Sequence, residues 1–169
     1  MRSFRPVAVL AGALCLLTVM TASAWGGDPP GNNGTVKVDG VPFDDKHGNE
    51  PHVGCFFQID FYGFDEGPLN GTATFELVSP TAGGVLLIDT AFIGEDPAGG
   101  GNDLDASLTE DLSLPIAASG VSAHPKQGFH VNLTVNADGS IGANTKHKTF
   151  WVEGCNGERG EGGGEGGEG

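Results

Sequence analysis

One group of side chains that could do chemistry is acidic and lies in three glycine-containing segments of the sequence. Carboxylate oxygens in flexible loops are the ligands that Ca²⁺ accepts, although the spacing here is not that of an EF-hand loop. Solvated acidic loops have the same composition, so both interpretations stay open. The candidate calcium ligands are Asp65, Glu66, Glu95, Asp96, Asp103, Asp105 and Asp138.

A second group consists of histidines. Imidazole and carboxylate groups together can hold zinc or copper, but the spacing here matches no defined motif. Because His52 follows Pro51 and His124 precedes Pro125, the alternative is that these rings cap strands or bind loop carbonyls. The candidate transition-metal ligands are His52, His124 and His130, with Asp44, Asp45 and Glu50 expected at the same pole.

The sequence lacks the motifs of covalent and phosphate chemistry. It contains no G-x-S-x-G nucleophile elbow, and the run Gly99, Gly100, Gly101 is without the lysine of a phosphate-binding loop. We therefore predict a non-enzymatic protein with no cofactor other than calcium.

The first 24 residues have the features of a secretory signal peptide. Arg2 and Arg5 precede an apolar run over residues 7–20, and Ala22 and Ala24 form a small-residue cleavage pattern. The apolar run is shorter than the ~20 residues of an ordinary spanning helix. We predict a secreted, extracellular protein, loosely associated with the cell surface at most and without stable membrane insertion after cleavage.

Two cysteines, Cys55 and Cys155, remain once Cys15 leaves with the signal peptide. An even pair in an oxidising compartment indicates a disulfide bond. A metal-bound pair or two free thiols are the alternatives, and two cysteines alone do not make a structural zinc site.

The chain is strongly acidic, with a formal charge of −14 at neutral pH. Removal of Arg2 and Arg5 with the signal peptide would make it more so. Nucleic acid is thereby an unsuitable partner, and the expected partner is an extracellular protein or matrix component.

Apolar and polar residues alternate in short segments separated by Gly, Pro, Asn and Asp, which predicts an all-β fold. In the most aromatic segment, Phe57, Ile59 and Phe61 share the inward face. No helix is predicted, and the pattern indicates a single immunoglobulin-like antiparallel β-sandwich. Its seven predicted strands are residues 35–38, 55–62, 72–78, 85–91, 106–112, 129–135 and 145–152.

Four regions follow from this pattern: a signal peptide (1–24), a flexible linker (25–34), the sandwich (35–155) and a disordered Gly/Glu tail (156–169). If successive strands alternate in direction, Cys55 and Cys155 lie at the same pole. The loops 42–54 and 114–128 share that pole, and the acidic loops 63–71, 94–105 and 136–144 meet at the opposite one.

Five stretches of the sequence carry a resemblance to known proteins: 49–55 (NEPHVGC), 61–65 (FYGFD), 93–101 (IGEDPAGGG), 124–128 (HPKQG) and 146–155 (KHKTFWVEGC). In these stretches the chain resembles an uncharacterised family of secreted and cell-surface immunoglobulin-like proteins of high-GC Gram-positive bacteria. The resemblance implies a bacterial source and secretion. It implies no activity, and the Gly/Glu ending departs from the sortase-type wall anchor of several members.

The favoured hypothesis is a secreted, non-enzymatic β-sandwich that binds a partner or matrix at the cell surface. The rival is a metal-dependent secreted enzyme or metal-binding protein at the histidine pole, and the third is a structural spacer.

Overall fold

A computed structural model describes residues 34–43, 48–97, 103–140 and 144–155 of the chain. The predicted signal peptide and tail lie outside these ranges, as does the predicted linker except for Gly34. Asp44 and Asp45 also lie outside the described residues.

The described residues form eight strands and one short helix. In chain order these are β1 (Thr35–Gly40), β2 (His52–Gly54), β3 (Phe56–Tyr62), β4 (Asn70–Leu77), β5 (Gly84–Phe92), β6 (Leu104–Asp111), α1 (Ser113–Ser119), β7 (Phe129–Asp138) and β8 (Thr145–Glu153).

The strands form two sheets that pack as a β-sandwich, as predicted. One sheet has the order β1-β3-β6 and the other the order β2-β8-β7-β4-β5. All neighbours are antiparallel except β2 and β8. With β2 set aside, β1, β3 and β6 take the positions of immunoglobulin strands A, B and E, while β4, β7 and β8 take those of C, F and G. The remaining strand, β5, extends the sheet that contains C.

The core lies between the sheets and is built from their inward faces. Phe57, Ile59 and Phe61 are fully buried, as the alternation in β3 predicts. The ring of Phe57 packs edge-on against Phe75 and Phe150, with centroids 5.8 and 5.3 Å apart. Such edge-to-face pairs add to the free energy gained from burial, so β3 holds the two sheets together.

Cys55 and Cys155 form the predicted disulfide, with their Cα atoms 5.4 Å apart. Cys55 directly precedes β3 and Cys155 lies just beyond β8. The bond therefore joins the two sheets at one pole of the sandwich, where the predicted alternation places both residues.

Two elements differ from the predictions. The prediction of no helix is wrong, because α1 follows β6 and ends at Gly120, whose φ of 68° is the left-handed conformation favoured at helix ends. Only Ile116 within it is buried, so a 3.6-residue period is not visible. The strand β2 was also missed, since three residues cannot show an alternating pattern. No helix among the described residues is long and apolar enough to cross a membrane.

Candidate functional site

The predicted acidic loops meet at the pole opposite the disulfide. The amide of Gly63 donates to the carbonyl of Asp103 at 2.8 Å, and the amide of Gly67 donates to the carbonyl of Gly94 at 3.1 Å. The backbones approach so closely that a Cβ on Gly94 would lie 2.1 Å from the carbonyl oxygen of Gly67. Glycine is therefore required at residue 94, and these hydrogen bonds fix the two loops relative to each other.

The third acidic segment joins them through β4 and β7. Asn70 and Asp138 are opposite each other in the β4–β7 register. Beyond the strand, a Cβ on Gly139 would lie 3.3 Å from the side chain of Leu69. All three predicted loops therefore come together.

Three of the seven predicted calcium ligands form a tight group, here called the acidic cluster: Asp96, Asp103 and Asp105. One carboxylate oxygen from each lies within 4.8 Å of the other two. Asp96 is exposed, Asp103 is half-buried and Asp105 is buried. The other four predicted ligands lie outside this cluster, at the same pole: Asp65, Glu66, Glu95 and Asp138.

A β-bulge positions Asp105. In the β3–β6 pairing, Phe61 is opposite Ala106 and Tyr62 is opposite Leu104, so Asp105 has no residue opposite it. A bulge of this kind redirects the side chain of the extra residue. The side chain of Asp105 is only 7% exposed.

The two carboxylate oxygens of Asp105 have different surroundings. Oδ2 accepts a hydrogen bond from the amide of Phe64 at 3.0 Å. Oδ1 is buried and has no hydrogen-bond partner among the described residues. Burial, together with the negative charges of Asp103 and Asp96, raises the pKa of Asp105 to about 6, although the Phe64 amide opposes this rise.

The predicted histidine site assembles around a residue that the sequence did not indicate as functional, Trp151. His52 and His130 are opposite Trp151 on its two neighbouring strands, β2 and β7. The ring of His130 stacks on the indole with centroids 4.3 Å apart, and the ring of His124 lies 5.6 Å away. We call these four residues the histidine–tryptophan surface.

Two of these histidines are held by hydrogen bonds. His52 Nδ1 lies 2.7 Å from Glu153 Oε1, and His130 Nδ1 lies 2.5 Å from the carbonyl oxygen of Ser79. Both oxygens are acceptors, so each imidazole donates from Nδ1. Each ring is thereby fixed in orientation and leaves Nε2 for another partner.

This arrangement differs from the predicted metal site. Among the described residues, the group of three or more ligand atoms within 4.8 Å of one another contains no histidine. Glu50, expected nearby, accepts a hydrogen bond from the amide of Gly40 at 3.0 Å and so supports β1. Transition-metal binding by His52, His124 and His130 stays a prediction.

The surface around Trp151 continues as a polar face of the five-stranded sheet. Thr149 is opposite Asn132, and His147 is opposite Thr134. These short side chains form hydrogen bonds with one another; for example, the Asn132 amide donates to Thr134 Oγ1 at 3.1 Å. Among the outward-facing residues of β7 and β8, Trp151 is the one large aromatic side chain. Within the described residues, large exposed apolar side chains, including Phe92, occur on the same sheet only at its far edge, on β5.

A cavity of about 440 Å³ opens beside α1 at the disulfide pole. No histidine, carboxylate or lysine lines it; its walls are Ser113, Leu114, Ile116, Ala117, Val121, Phe129 and Cys155. The cavity could hold a small molecule, but none of these lining residues is a candidate general acid or base.

Comparisons with family models, with curated proteins and with solved structures find no match to this chain. The resemblance to secreted proteins of high-GC Gram-positive bacteria stays a prediction.

Proposed function

We propose that this protein is a secreted, non-enzymatic β-sandwich module that binds an extracellular partner through its histidine–tryptophan surface. The observation that carries the proposal is the half-buried Trp151, held between ordered histidines on the polar outward face of β7 and β8. Tryptophan, like tyrosine and arginine, is enriched among the residues that contribute most to the binding free energy of an interface.

The surface is ordered before any partner arrives. Stacking on Trp151 and the hydrogen bond to Ser79 fix the ring of His130, and Glu153 fixes that of His52. Side chains that are already ordered lose less conformational entropy on binding. The histidine–tryptophan surface therefore has one defined side-chain conformation before a partner binds.

Charge restricts what that partner can be. The chain carries a formal charge of −14, and Glu153 is half-exposed beside His52. Polyanions would be repelled, a basic protein surface would be attracted, and a neutral one would not be repelled. We therefore propose an extracellular protein or matrix component with a neutral or basic contact surface.

Binding to intact cells of the source organism tests this proposal. We expect fluorescently labelled protein to bind saturably, and Trp151→Ala to weaken binding by about thirtyfold, the effect of losing an interface residue worth ~2 kcal/mol. Thr74→Ala is the matched control, because Thr74 belongs to the same sheet face but lies two strands from β8. Equal affinity of the two variants, or the absence of saturable binding, would contradict the proposal, provided that both variants melt like the unmutated protein.

A metal-dependent enzyme at the same surface is the rival function. One observation favours it: metal-bound histidines commonly donate their second ring nitrogen to a carboxylate or carbonyl, as His52 and His130 do. Against it, Trp151 occupies the strand between them.

Metal analysis of the purified protein separates these functions. We expect less than one tenth of an equivalent of zinc or copper per chain, with no change on His52→Ala or His130→Ala. One equivalent that disappears in either variant would support the rival function.

A further inference from the structure

We infer that Asp96, Asp103 and Asp105 bind one calcium ion at the pole opposite the disulfide. This site is separate from the proposed partner surface, and neither requires the other. Two independent observations support it: the convergence of three carboxylates and an unpartnered buried oxygen.

The first observation is the geometry of the acidic cluster. One oxygen from each carboxylate lies within 4.8 Å of the others, although Asp96 follows β5, Asp103 directly precedes β6 and Asp105 lies within β6. Calcium–oxygen bonds are about 2.3–2.6 Å long, so oxygens up to about 5 Å apart can share one ion. The three carboxylates are therefore close enough to bind it together.

The second observation is that Asp105 is buried and that one of its carboxylate oxygens has no hydrogen-bond partner among the described residues. Asp105 is only 7% exposed, and the oxygen without a partner is Oδ1. A buried carboxylate oxygen without a donor or cation is unfavourable in a folded protein. A cation held with Asp96 and Asp103 would compensate the buried charge of Asp105, whose Oδ2 is held in place by the Phe64 amide.

The ligand chemistry favours calcium over other ions. The cluster provides oxygen ligands and contains no histidine or cysteine, which disfavours zinc and copper. Mg²⁺ requires near-ideal octahedral geometry and keeps several waters, while Ca²⁺ tolerates irregular sets of six to eight oxygens. Asp96, Asp103 and Asp105 supply three ligands of such an irregular set, and water molecules would complete it.

The loops that carry the cluster are joined before an ion binds. Gly63 is bonded to Asp103, and Gly67 is bonded to Gly94, two residues before Asp96. Only the folded chain brings these segments together, so calcium would bind the folded state and stabilise it.

Calorimetric titration of the purified protein with calcium chloride tests the inference. We expect one calcium ion per chain with a dissociation constant of about 1 mM or tighter, as extracellular modules show. At a hundredfold excess of calcium over the dissociation constant, the melting temperature should rise by about 5–10 °C relative to chelator. Asp103→Asn and Asp96→Asn should each weaken binding at least tenfold.

Glu76→Gln is the matched control, because Glu76 is an exposed carboxylate on β4 outside the predicted calcium ligands, and this variant should bind calcium like the unmutated protein. If Asp103→Asn does not fold, the exposed Asp96 provides the decisive variant. Three results would overturn the inference: no heat of binding, a melting shift matched by sodium chloride of equal ionic strength, or an equal response to magnesium. Each leaves the partner-binding proposal unaffected, because Trp151 is at the other pole.

Discussion

Replacing Cys55 with serine will lower the free energy of unfolding by about 3–4 kcal/mol and the melting temperature by about 10 °C or more. The disulfide closes a loop of 100 residues in sequence, and cross-linking a loop of that length restricts the unfolded chain by up to ~4.7 kcal/mol in the chain-entropy model. Engineered and native bonds often contribute less than this limit. Thermal melting of the two proteins measures the loss.

The double variant Cys55→Ser, Cys155→Ser is the control for this prediction. It should melt at the temperature of the single variant, and reductant should lower the melting temperature of the unmutated protein but not that of the double variant. Thiol titration in denaturant without reductant independently measures the number of free thiols per chain. Two free thiols per chain would contradict the bond.

Much of the fold followed from local patterns in the sequence. Alternation in β3 identified Phe57 and Ile59 as core residues, and alternating strand directions placed Cys55 beside Cys155. Both arguments depend on the two-residue period of a strand, which the sequence displays directly. They could not identify α1, in which Ile116 is the only buried residue.

The candidate sites were less predictable because they depend on register. His52 lies next to the indole of Trp151 because β2 pairs with β8 in parallel. The two paired segments are about 100 residues apart in sequence. Nothing local to either segment signals that pairing. The sequence analysis therefore placed the histidines at one pole but did not identify Trp151 between them as a functional residue.

The composition of the acidic cluster was also not predictable from local sequence patterns. Alternating strand directions predicted that the three acidic loops would meet, but not which carboxylates converge. That choice depends on the bulge at Asp105, which arises from a shift between Phe61 and Tyr62 in the pairing of β3 with β6. Asp60 is a further example, because it lies on the outward face of β3 and is nevertheless 4% exposed, bonded to Gln58 and Ser107.

The Glu110→Gln variant will be more stable than the unmutated protein at pH 8 and nearly equal to it at pH 5. Glu110 is 4% exposed, and its Oε1 has no hydrogen-bond partner within the described residues. Burial first, and the nearby charge of Asp89 second, raise its pKa from 4.5 to about 7. Ionised Glu110 is therefore unfavourable in the folded state.

The direction of the pH dependence follows from proton linkage. Between pH 4.5 and 7 the folded chain holds the Glu110 proton more tightly than the unfolded chain does, so stability falls as pH rises through this window and levels off above it. A pKa difference of this size corresponds to about 3 kcal/mol as an upper value. We expect a gain of about 2 kcal/mol at pH 8, since the glutamine amide gains no defined partner. Asp105, whose pKa is also raised, affects both proteins equally and cancels in the comparison.

Urea denaturation at pH 5 and pH 8 measures the two free energies of unfolding. Glu76→Gln is the matched control, because Glu76 is exposed on the outward side of β4 and should change stability by less than about 0.5 kcal/mol at either pH. Asp89→Asn should give a smaller gain than Glu110→Gln, because its charge is the lesser of the two causes. Parallel pH profiles for Glu110→Gln and the unmutated protein would show that the carboxyl of Glu110 ionises in the folded chain as it does in the unfolded one. That result would contradict the raised pKa of Glu110.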